Sequence, residues 1–285
     1  MDDKLFITLT PGNSFLDKLT GKTKVRLFFL LIFILTATWD VRIIIPIFIL
    51  SIICLISIKP DVKKNVGIIV FVLLMNLFNL FLTYLISPNY GLEMVGGETL
   101  LFSFSTRYVV TAETLWYLMT RLLKFLASFL VSLTFIQCIT PSELAAGLHS
   151  IKIPYKVCTI VSLAFRYIPD ITRDFNNIKT SMQTRGMELS SKRASLFKRL
   201  KQYVLILIPL VITSFDRVGN IANAMDLRGF GKEKDRTYYS EHEDTKADKH
   251  LVLLVVLLLL FFIVLVIMKI FFKPPFEVWA PWIKI

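Results

Sequence analysis

Long apolar blocks separated by short polar breaks constrain this chain more than any other feature of its sequence. Hydrophobic residues make up 55% of its 285 positions. They cluster in stretches close to the ~20 residues that a helix needs to cross a bilayer core about 30 Å thick. Lipid cannot hydrogen-bond to a backbone, so such stretches form helices. The sequence therefore predicts an all-α, polytopic membrane protein with about five transmembrane helices, over roughly 25–38, 43–58, 66–87, 113–139 and 251–272.

Positive charge alternates between the two ends of these predicted spans. Residues 1–26 carry five Lys or Arg, 59–64 carry three and 140–250 carry eighteen, whereas 39–42 and 88–112 carry one each. Basic segments are retained on the cytoplasmic side of a membrane. We therefore expect a multi-pass protein of the cell membrane with a cytoplasmic N-terminus and an extracellular C-terminus. The net charge of +12 is explained by this orientation, and no nucleic-acid partner is expected.

The segment between the fourth and fifth predicted spans is too long for a simple connection. It is amphipathic rather than uniformly apolar, so it should have a structure of its own. The expected organisation is a four-span region 1–139, a cytoplasmic helical region 140–231, a charged tether 232–250, and a last span with an external tail 251–285. Residues 88–112 contain several glycines and are predicted to form a loop.

The cytoplasmic region begins with a recognisable helix start. Thr140 and Glu143, with a proline between them, have the spacing of a capping box. Apolar residues at three- and four-residue spacing predict two long helices beyond it, over 155–185 and 202–228. The basic stretch 187–201 between them is predicted to be either a solvated turn or a segment attracted to anionic lipid.

Each long helix ends in an arginine followed by a glycine, Arg185-Gly186 and Arg228-Gly229. Glycine allows the chain to turn away from a helix end. An exposed guanidinium there presents up to five hydrogen-bond donors in a rigid fork, which suits carboxylates or carbonyls in a partner. Ordinary helix capping accounts for one such end. Two of them on consecutive helices favour a partner with two similar grooves.

The order of these motifs resembles one known family. The chain is similar to the transmembrane T component of energy-coupling-factor (ECF) transporters, which is related to the cobalt- and biotin-transporter permeases. The resemblance spans most of the chain and is strongest from Arg121 to Gly231. The matching stretches are Leu133-Thr134, Thr140-Pro141-Ser142-Glu143-Leu144, Ile153-Pro154, Leu163-Ala164-Phe165-Arg166-Tyr167-Ile168-Pro169, the first Arg-Gly pair, Ile208-Pro209-Leu210, and Ala224-Met225-Asp226-Leu227-Arg228-Gly229-Phe230.

The resemblance implies a non-catalytic coupling subunit of an ABC-type importer. The two long helices would be coupling helices that transmit ATP-driven movement of a cytoplasmic ATPase dimer to a membrane-embedded, substrate-binding S component, for uptake of vitamins or transition-metal ions. The S component, not this chain, would select the substrate. The first motif departs from the family by having Thr where Ala is usual. The residues implied to dock on the ATPases are Thr184, Arg185, Gly186, Leu227, Arg228 and Gly229, and those implied to face the S component are Val161, Phe165 and Ile168.

Two other classes of function are open to this sequence. Asp170 and Asp174, one helical turn apart, are compatible with a Mg²⁺-diphosphate site of a membrane prenyltransferase, but ion pairs with the neighbouring Arg166 and Arg173 explain them better. Arg121 and Lys124 within the fourth span are compatible with a channel or a self-sufficient carrier, although long side chains in its outer half can reach the interface. No catalytic residue, cofactor or bound metal is predicted.

The charge pattern makes a topological prediction. In a background without native cysteines, Lys284→Cys should react with a membrane-impermeant thiol reagent on intact cells. Ser240→Cys should react only after the cells are opened, because residues 140–250 are expected to be cytoplasmic. Labelling of Ser240→Cys on intact cells would contradict the five-span arrangement.

Overall fold

The computed structural model describes residues 15–17, 19–58, 62–96, 99–103, 109–187, 195–232 and 245–272. The predicted external tail and most of the charged tether lie outside these residues. The described chain divides into two compact units, one formed by residues 1–143 with 242–285 and the other by 144–241. In chain order the elements are α1 (Gly21–Ala37), α2 (Val41–Ile58), α3 (Val62–Ile86), α4 (Tyr90–Val95), β1 (Leu100–Ser103), β2 (Val109–Thr111), α5 (Ala112–Cys138), α6 (Pro141–Ser150), α7 (Tyr155–Thr184), α8 (Leu196–Leu227) and α9 (Lys246–Phe272).

Helix α5 is the central element of the first unit. It packs against α1, α2, α3 and α4, and α9 packs against α1. Aliphatic side chains of α1, α2 and α5 form the buried core, and phenylalanines such as Phe28 and Phe48 lie against it. The all-α membrane fold predicted from the apolar blocks is confirmed. The buried residues of this core are Leu31, Ile34, Leu35, Ile43, Ile44, Ile47, Ala127 and Val131.

The segment predicted as a loop, 88–112, contains regular structure instead. It begins with the short helix α4 and continues into an antiparallel ribbon in which β1 pairs with β2. Valine and threonine in β2 favour an extended strand. The carboxylate of Glu113, at the start of α5, accepts hydrogen bonds from the backbone N–H and hydroxyl of Thr99 at 3.3 and 2.6 Å. These contacts tie the start of the ribbon to α5.

Five described helical segments are long and apolar enough to cross a membrane: Val41–Ile58, Asn65–Ile86, Ala112–Cys138, Leu200–Leu227 and Asp248–Ile267. Four of them coincide with predicted spans. The remaining segment, Leu200–Leu227, lies in α8, which we expected to be cytoplasmic. Helix α1 is not among the five, because its 17 residues give a length of only about 26 Å. The number of apolar helices therefore agrees with the prediction, but a segment of α8 takes the place of α1 among them.

Helix α8 also begins earlier than the expected residue 202. Residues 196–201, predicted to belong to a polar turn, form its first turns. Phe197 and Leu200 are 80% and 64% exposed there. Leu, Phe, Lys and Arg are all compatible with a helix. The prediction of a turn over residues 196–201, which was based on their basic character, was therefore wrong.

The predicted capping box at the start of α6 is confirmed. The backbone N–H of Thr140 donates to Glu143 Oε2 at 3.0 Å, and the N–H of Glu143 donates to Thr140 Oγ1 at 3.4 Å. The same carboxylate pairs with Lys24 at 3.0 Å, with side chains only 3% and 13% exposed. The ammonium also donates to the carbonyl oxygens of Cys138 and Asp17, at 2.9 and 3.2 Å. All three of its N–H groups are thereby used.

A second buried acid joins the beginnings of α1 and α9. Asp248 Oδ1 accepts hydrogen bonds from the backbone N–H and hydroxyl of Thr20, at 3.0 and 3.1 Å. Its other oxygen accepts from the N–H and hydroxyl of Thr245, at 2.9 and 2.6 Å. Thr20 is itself the N-cap of α1. One carboxylate therefore satisfies polar groups at two helix starts, which fixes the ends of α1 and α9 together.

Helix α1 approaches the backbone of Glu143 so closely that only glycine fits at position 21. A Cβ there would lie 2.3 Å from the Glu143 carbonyl oxygen, whereas a Cβ at Gly67 in α3 would meet nothing within 4 Å. We predict that Gly21→Ala destabilises the protein by about 1–3 kcal/mol through overpacking. The matched control Gly67→Ala should be neutral or slightly stabilising. Thermal unfolding in detergent measures the difference, and equal midpoints for the two variants would contradict the packing described.

Candidate coupling helices and their arginine tips

The candidate site is built on α7 and α8, the two long helices of the second unit. Asp174 on α7 and Arg217 on α8 form an ion pair whose side chains are 30% and 32% exposed. Phe230, just beyond α8, packs edge to face on Tyr155 at the start of α7, with ring centroids 5.6 Å apart. From the aromatic contact to the ion pair, the residue number rises along α7, from 155 to 174, and falls along α8, from 230 to 217. The two helices therefore run in opposite directions.

Helix α7 ends in a Schellman motif, a pair of backbone hydrogen bonds that closes a helix over a left-handed residue. The N–H of Gly186 donates to the carbonyl oxygen of Gln183 at 3.0 Å, and that of Met187 donates to Met182 at 3.0 Å. Gly186 has φ +90°, which disfavours any residue with a Cβ. Arg185 directly precedes the turn and is exposed. We call residues 182–187 tip 1.

The same motif ends α8. The N–H of Gly229 donates to the carbonyl oxygen of Asp226 at 2.9 Å, and that of Phe230 donates to Met225 at 3.0 Å. Gly229 has φ +68°. Arg228 is exposed, and Leu227 beside it is 89% exposed. We call residues 225–230 tip 2. The glycine stops predicted from the sequence are confirmed, and both arginines occupy the same position of the same motif.

The two tips differ in how closely they pack against the rest of the helix pair. A Cβ added to Gly186 at tip 1 would meet nothing within 4 Å among the described residues. Tip 2 is held against the start of α7 by the Phe230–Tyr155 contact, and Tyr155 is buried. Thr184, the variant residue of the first motif, is exposed and donates its hydroxyl to the carbonyl oxygen of Ser181 at 2.7 Å. That bond is internal to the helix end, so threonine is accommodated without disturbing the turn.

The Asp174–Arg217 pair was not predicted. The expected ion pair between Asp170 and Arg173 exists at 4.0 Å on an exposed surface, but the prediction was wrong for Asp174, whose partner lies on the other helix. The pair is ten residues before the last residue of each helix, or about 15 Å at 1.5 Å per residue. Because the helices run in opposite directions, the tips lie on opposite sides of the pair.

Apolar side chains cover much of the exposed surface of the helix pair. Of the three residues expected to face a membrane partner, Val161 and Phe165 are half-buried and Ile168 is 38% exposed. A neighbouring stripe on α7 is more open. Its three- and four-residue spacing is visible in the sequence and could have identified it. The stripe consists of Val157, Ile160, Ala164, Ile168 and Ile171, and α8 adds Val204, Ile208, Val211, Ile212 and Phe215.

The described residues contain no group of three or more His, Cys, Asp or Glu side chains placed to hold a metal ion. Asp174, one half of the acidic pair that suggested a Mg²⁺-diphosphate site, is engaged by Arg217 instead. The described residues of the helix pair present two exposed arginines in matched turns and exposed apolar side chains on both helices.

Comparison with known proteins shows which family the chain resembles. The family profile of the cobalt transport protein CbiQ matches residues 12–239. A protein of Staphylococcus aureus named energy-coupling factor transporter transmembrane protein EcfT is 28% identical over 253 residues, covering 85% of this chain and 89% of the relative. The EcfT protein of Lactococcus lactis subsp. cremoris is 25% identical over 273 residues, covering 89% and 94%. That of Limosilactobacillus fermentum is 30% identical over 128 residues, covering 42% of this chain and about half, 47%, of the relative.

The ion pair between α7 and α8 can be tested by a double-mutant cycle with Asp174→Ala and Arg217→Ala. We expect a coupling energy of about 1 kcal/mol in unfolding stability, because the pair is partly shielded from water. The matched cycle with Asp170→Ala and Arg173→Ala should give a value near zero, since that pair is longer and well exposed. Equal coupling in both cycles would contradict the role given to Asp174 and Arg217.

Proposed function

Because the chain belongs to the CbiQ family of cobalt transport proteins, and its relatives are named as transmembrane proteins of energy-coupling factor transporters, we propose that it is the coupling subunit of an ECF-type ABC importer. In this proposal it transmits the movement of two cytoplasmic ATPase subunits to a membrane-embedded S component. The S component binds the vitamin or transition-metal ion that is taken up. The chain itself catalyses no reaction.

The observation that carries this proposal is the pair of matched tips. Arg185 and Arg228 occupy the same position of the same Schellman motif, and both are exposed. Equal local geometry means that each tip can enter the same kind of groove. Two related ATPase subunits provide two such grooves, whereas a single partner domain provides one. The planar guanidinium suits the carboxylates and carbonyl oxygens that line a groove between helices or loops.

The arrangement of the helix pair supports one ATPase at each tip. The tips are on opposite sides of the Asp174–Arg217 pair, each about 15 Å from it along its helix. A separation of this order is too large for one small groove and leaves room for a separate partner at each tip. The ion pair links the two helices, so that movement of one tip is passed to the other helix. Closure of an ATPase dimer on binding ATP would then tilt both helices together.

The apolar faces of α7 and α8 would support the S component. A surface this apolar requires either lipid or an apolar partner. In the proposal α8 lies along the cytoplasmic membrane boundary rather than across it, with its apolar side upward and its tip toward the ATPases. Leu200–Leu227 satisfies the length and hydropathy of a span because residues 203–215 are apolar almost throughout. Val161, Phe165 and Ile168, with the more open Ile160 and Ile171, would contact the S component.

The docking role can be tested with Arg185→Ala, Arg228→Ala and the double variant. A hydrogen-bonded arginine contact contributes about 1.5–3 kcal/mol, so each single change should weaken ATPase copurification roughly ten- to a hundredfold. The double variant should nearly abolish copurification and uptake. Lysine at either position should restore little, because it lacks the planar fork.

Arg173→Ala is the matched control, since this arginine is also exposed on α7 but lies away from both tips. It should copurify with the ATPases like the unaltered chain. All variants should insert and fold normally, because Gly186 and Gly229 still close the helix ends. Normal copurification and uptake in the double variant would contradict the proposed function.

A further inference from the structure

A cavity of about 770 Å³ is lined entirely by residues of the first unit, and the proposed coupling role does not use it. It lies between the ends of α1 and α3, the start of α4 and residues 117–128 of α5. The ends of α1 and α3 and the start of α4 belong to the end of the helix bundle that is expected to face outward. The cavity is lined by Thr36, Trp39, Thr83, Ile86, Ser87, Tyr90, Tyr117, Arg121, Lys124, Phe125 and Ser128.

Two cations face this cavity, and no acidic residue lines it. Lys124 Nζ donates to the carbonyl oxygen of Thr36 at 3.0 Å and lies 4.0 Å from the centroid of the Trp39 ring. Arg121 donates to Asn79 Oδ1 at 3.2 Å and to the hydroxyl of Tyr117 at 3.5 Å. Within the described chain neither cation has a carboxylate partner. An ammonium has three donors and a guanidinium five, so both retain donors for a ligand.

Two positive charges without a counter-charge are costly inside a membrane. Arg121 and Lys124 are nine and twelve residues beyond the first residue of α5, or about 14 and 18 Å along the helix. Solvation by water at the interface requires long side chains to extend outward. Here the same side chains line the cavity, where Lys124 contacts Thr36 and Trp39 and Arg121 contacts Asn79. A bound anion would neutralise them where they are.

The surroundings of the cavity indicate where this anion comes from. Ile86 and Phe125, on its rim, are 68% and 50% exposed on membrane-spanning helices, so the rim borders the acyl chains of the bilayer. Trp39, Tyr90 and Tyr117 supply the aromatic rings that proteins place at the level of lipid head groups. A ligand with both a phosphate and acyl chains fits this combination of cations, rings and apolar rim.

We propose that this cavity binds the phosphate of one anionic phospholipid from the surrounding leaflet, through Arg121 and Lys124. The lipid's acyl chains lie along Ile86 and Phe125. A zwitterionic lipid binds less well, because its own positively charged group is repelled by Arg121 and Lys124. The site is separate from ATPase docking, and the lipid fills the space between α1, α3 and α5.

Native mass spectrometry of the full chain in detergent tests this site. Phosphatidylglycerol should bind at one site at least about tenfold more tightly than phosphatidylcholine. Arg121→Gln and Lys124→Gln should each reduce this preference by about tenfold, because each removes a charge-assisted contact. Arg42→Gln is the matched control: Arg42 is exposed, belongs to the same end of the bundle and does not line the cavity. It should leave the preference unchanged.

Several results would overturn the proposal. Equal affinity for the two lipids would do so, and so would an equal loss in the Arg42→Gln variant. Complete displacement of phosphatidylglycerol by about 10 mM inorganic phosphate would assign the site to a free anion instead. If loss of the Thr36 contact prevents Lys124→Gln from folding, Arg121→Gln decides the outcome, with Arg121→Lys expected to retain most of the preference.

Discussion

Every helix end leaves backbone groups without intrahelical partners, and those that are buried away from water must be satisfied by other groups of the chain. This constraint explains the positions of several buried polar side chains in this protein. Glu143 caps α6 and neutralises Lys24, which in turn donates a hydrogen bond to the Cys138 carbonyl oxygen at the end of α5. Asp248 accepts hydrogen bonds from backbone N–H groups at the starts of α1 and α9. The helix ends thus determine where the helices of the first unit meet.

Closure of a helix end also shapes the proposed docking surface. A left-handed glycine completes the last hydrogen bonds of α7 and α8 at no steric cost. The residue before it then projects from the end of the helix. In both cases that residue is arginine. Capping and docking are therefore not competing explanations of Arg185 and Arg228, since the cap is what exposes the guanidinium. In the proposed mechanism the Asp174–Arg217 pair links the two tips, so that both helices respond to one ATPase movement.

The features that could be predicted from the sequence are local ones. The capping box at Thr140 and the glycine stops at positions 186 and 229 depend on residues within one or two turns of each other. The apolar spans depend on runs of neighbouring residues. The partner of Asp174 could not be predicted, because it lies 43 residues away and two nearer arginines compete for it. Lys24 and Glu143, 119 residues apart, were missed for the same reason.

The central claim is that the two tips contact different ATPase subunits. Site-specific photocrosslinking in the assembled transporter tests it directly, with a crosslinking residue at Thr184 in one sample and at Leu227 in another. Both positions are exposed beside a tip arginine. The account predicts an ATPase adduct from each position, with different subunits in the two samples. Adducts only with lipid or with the S component, or with the same ATPase subunit from both positions, would contradict it.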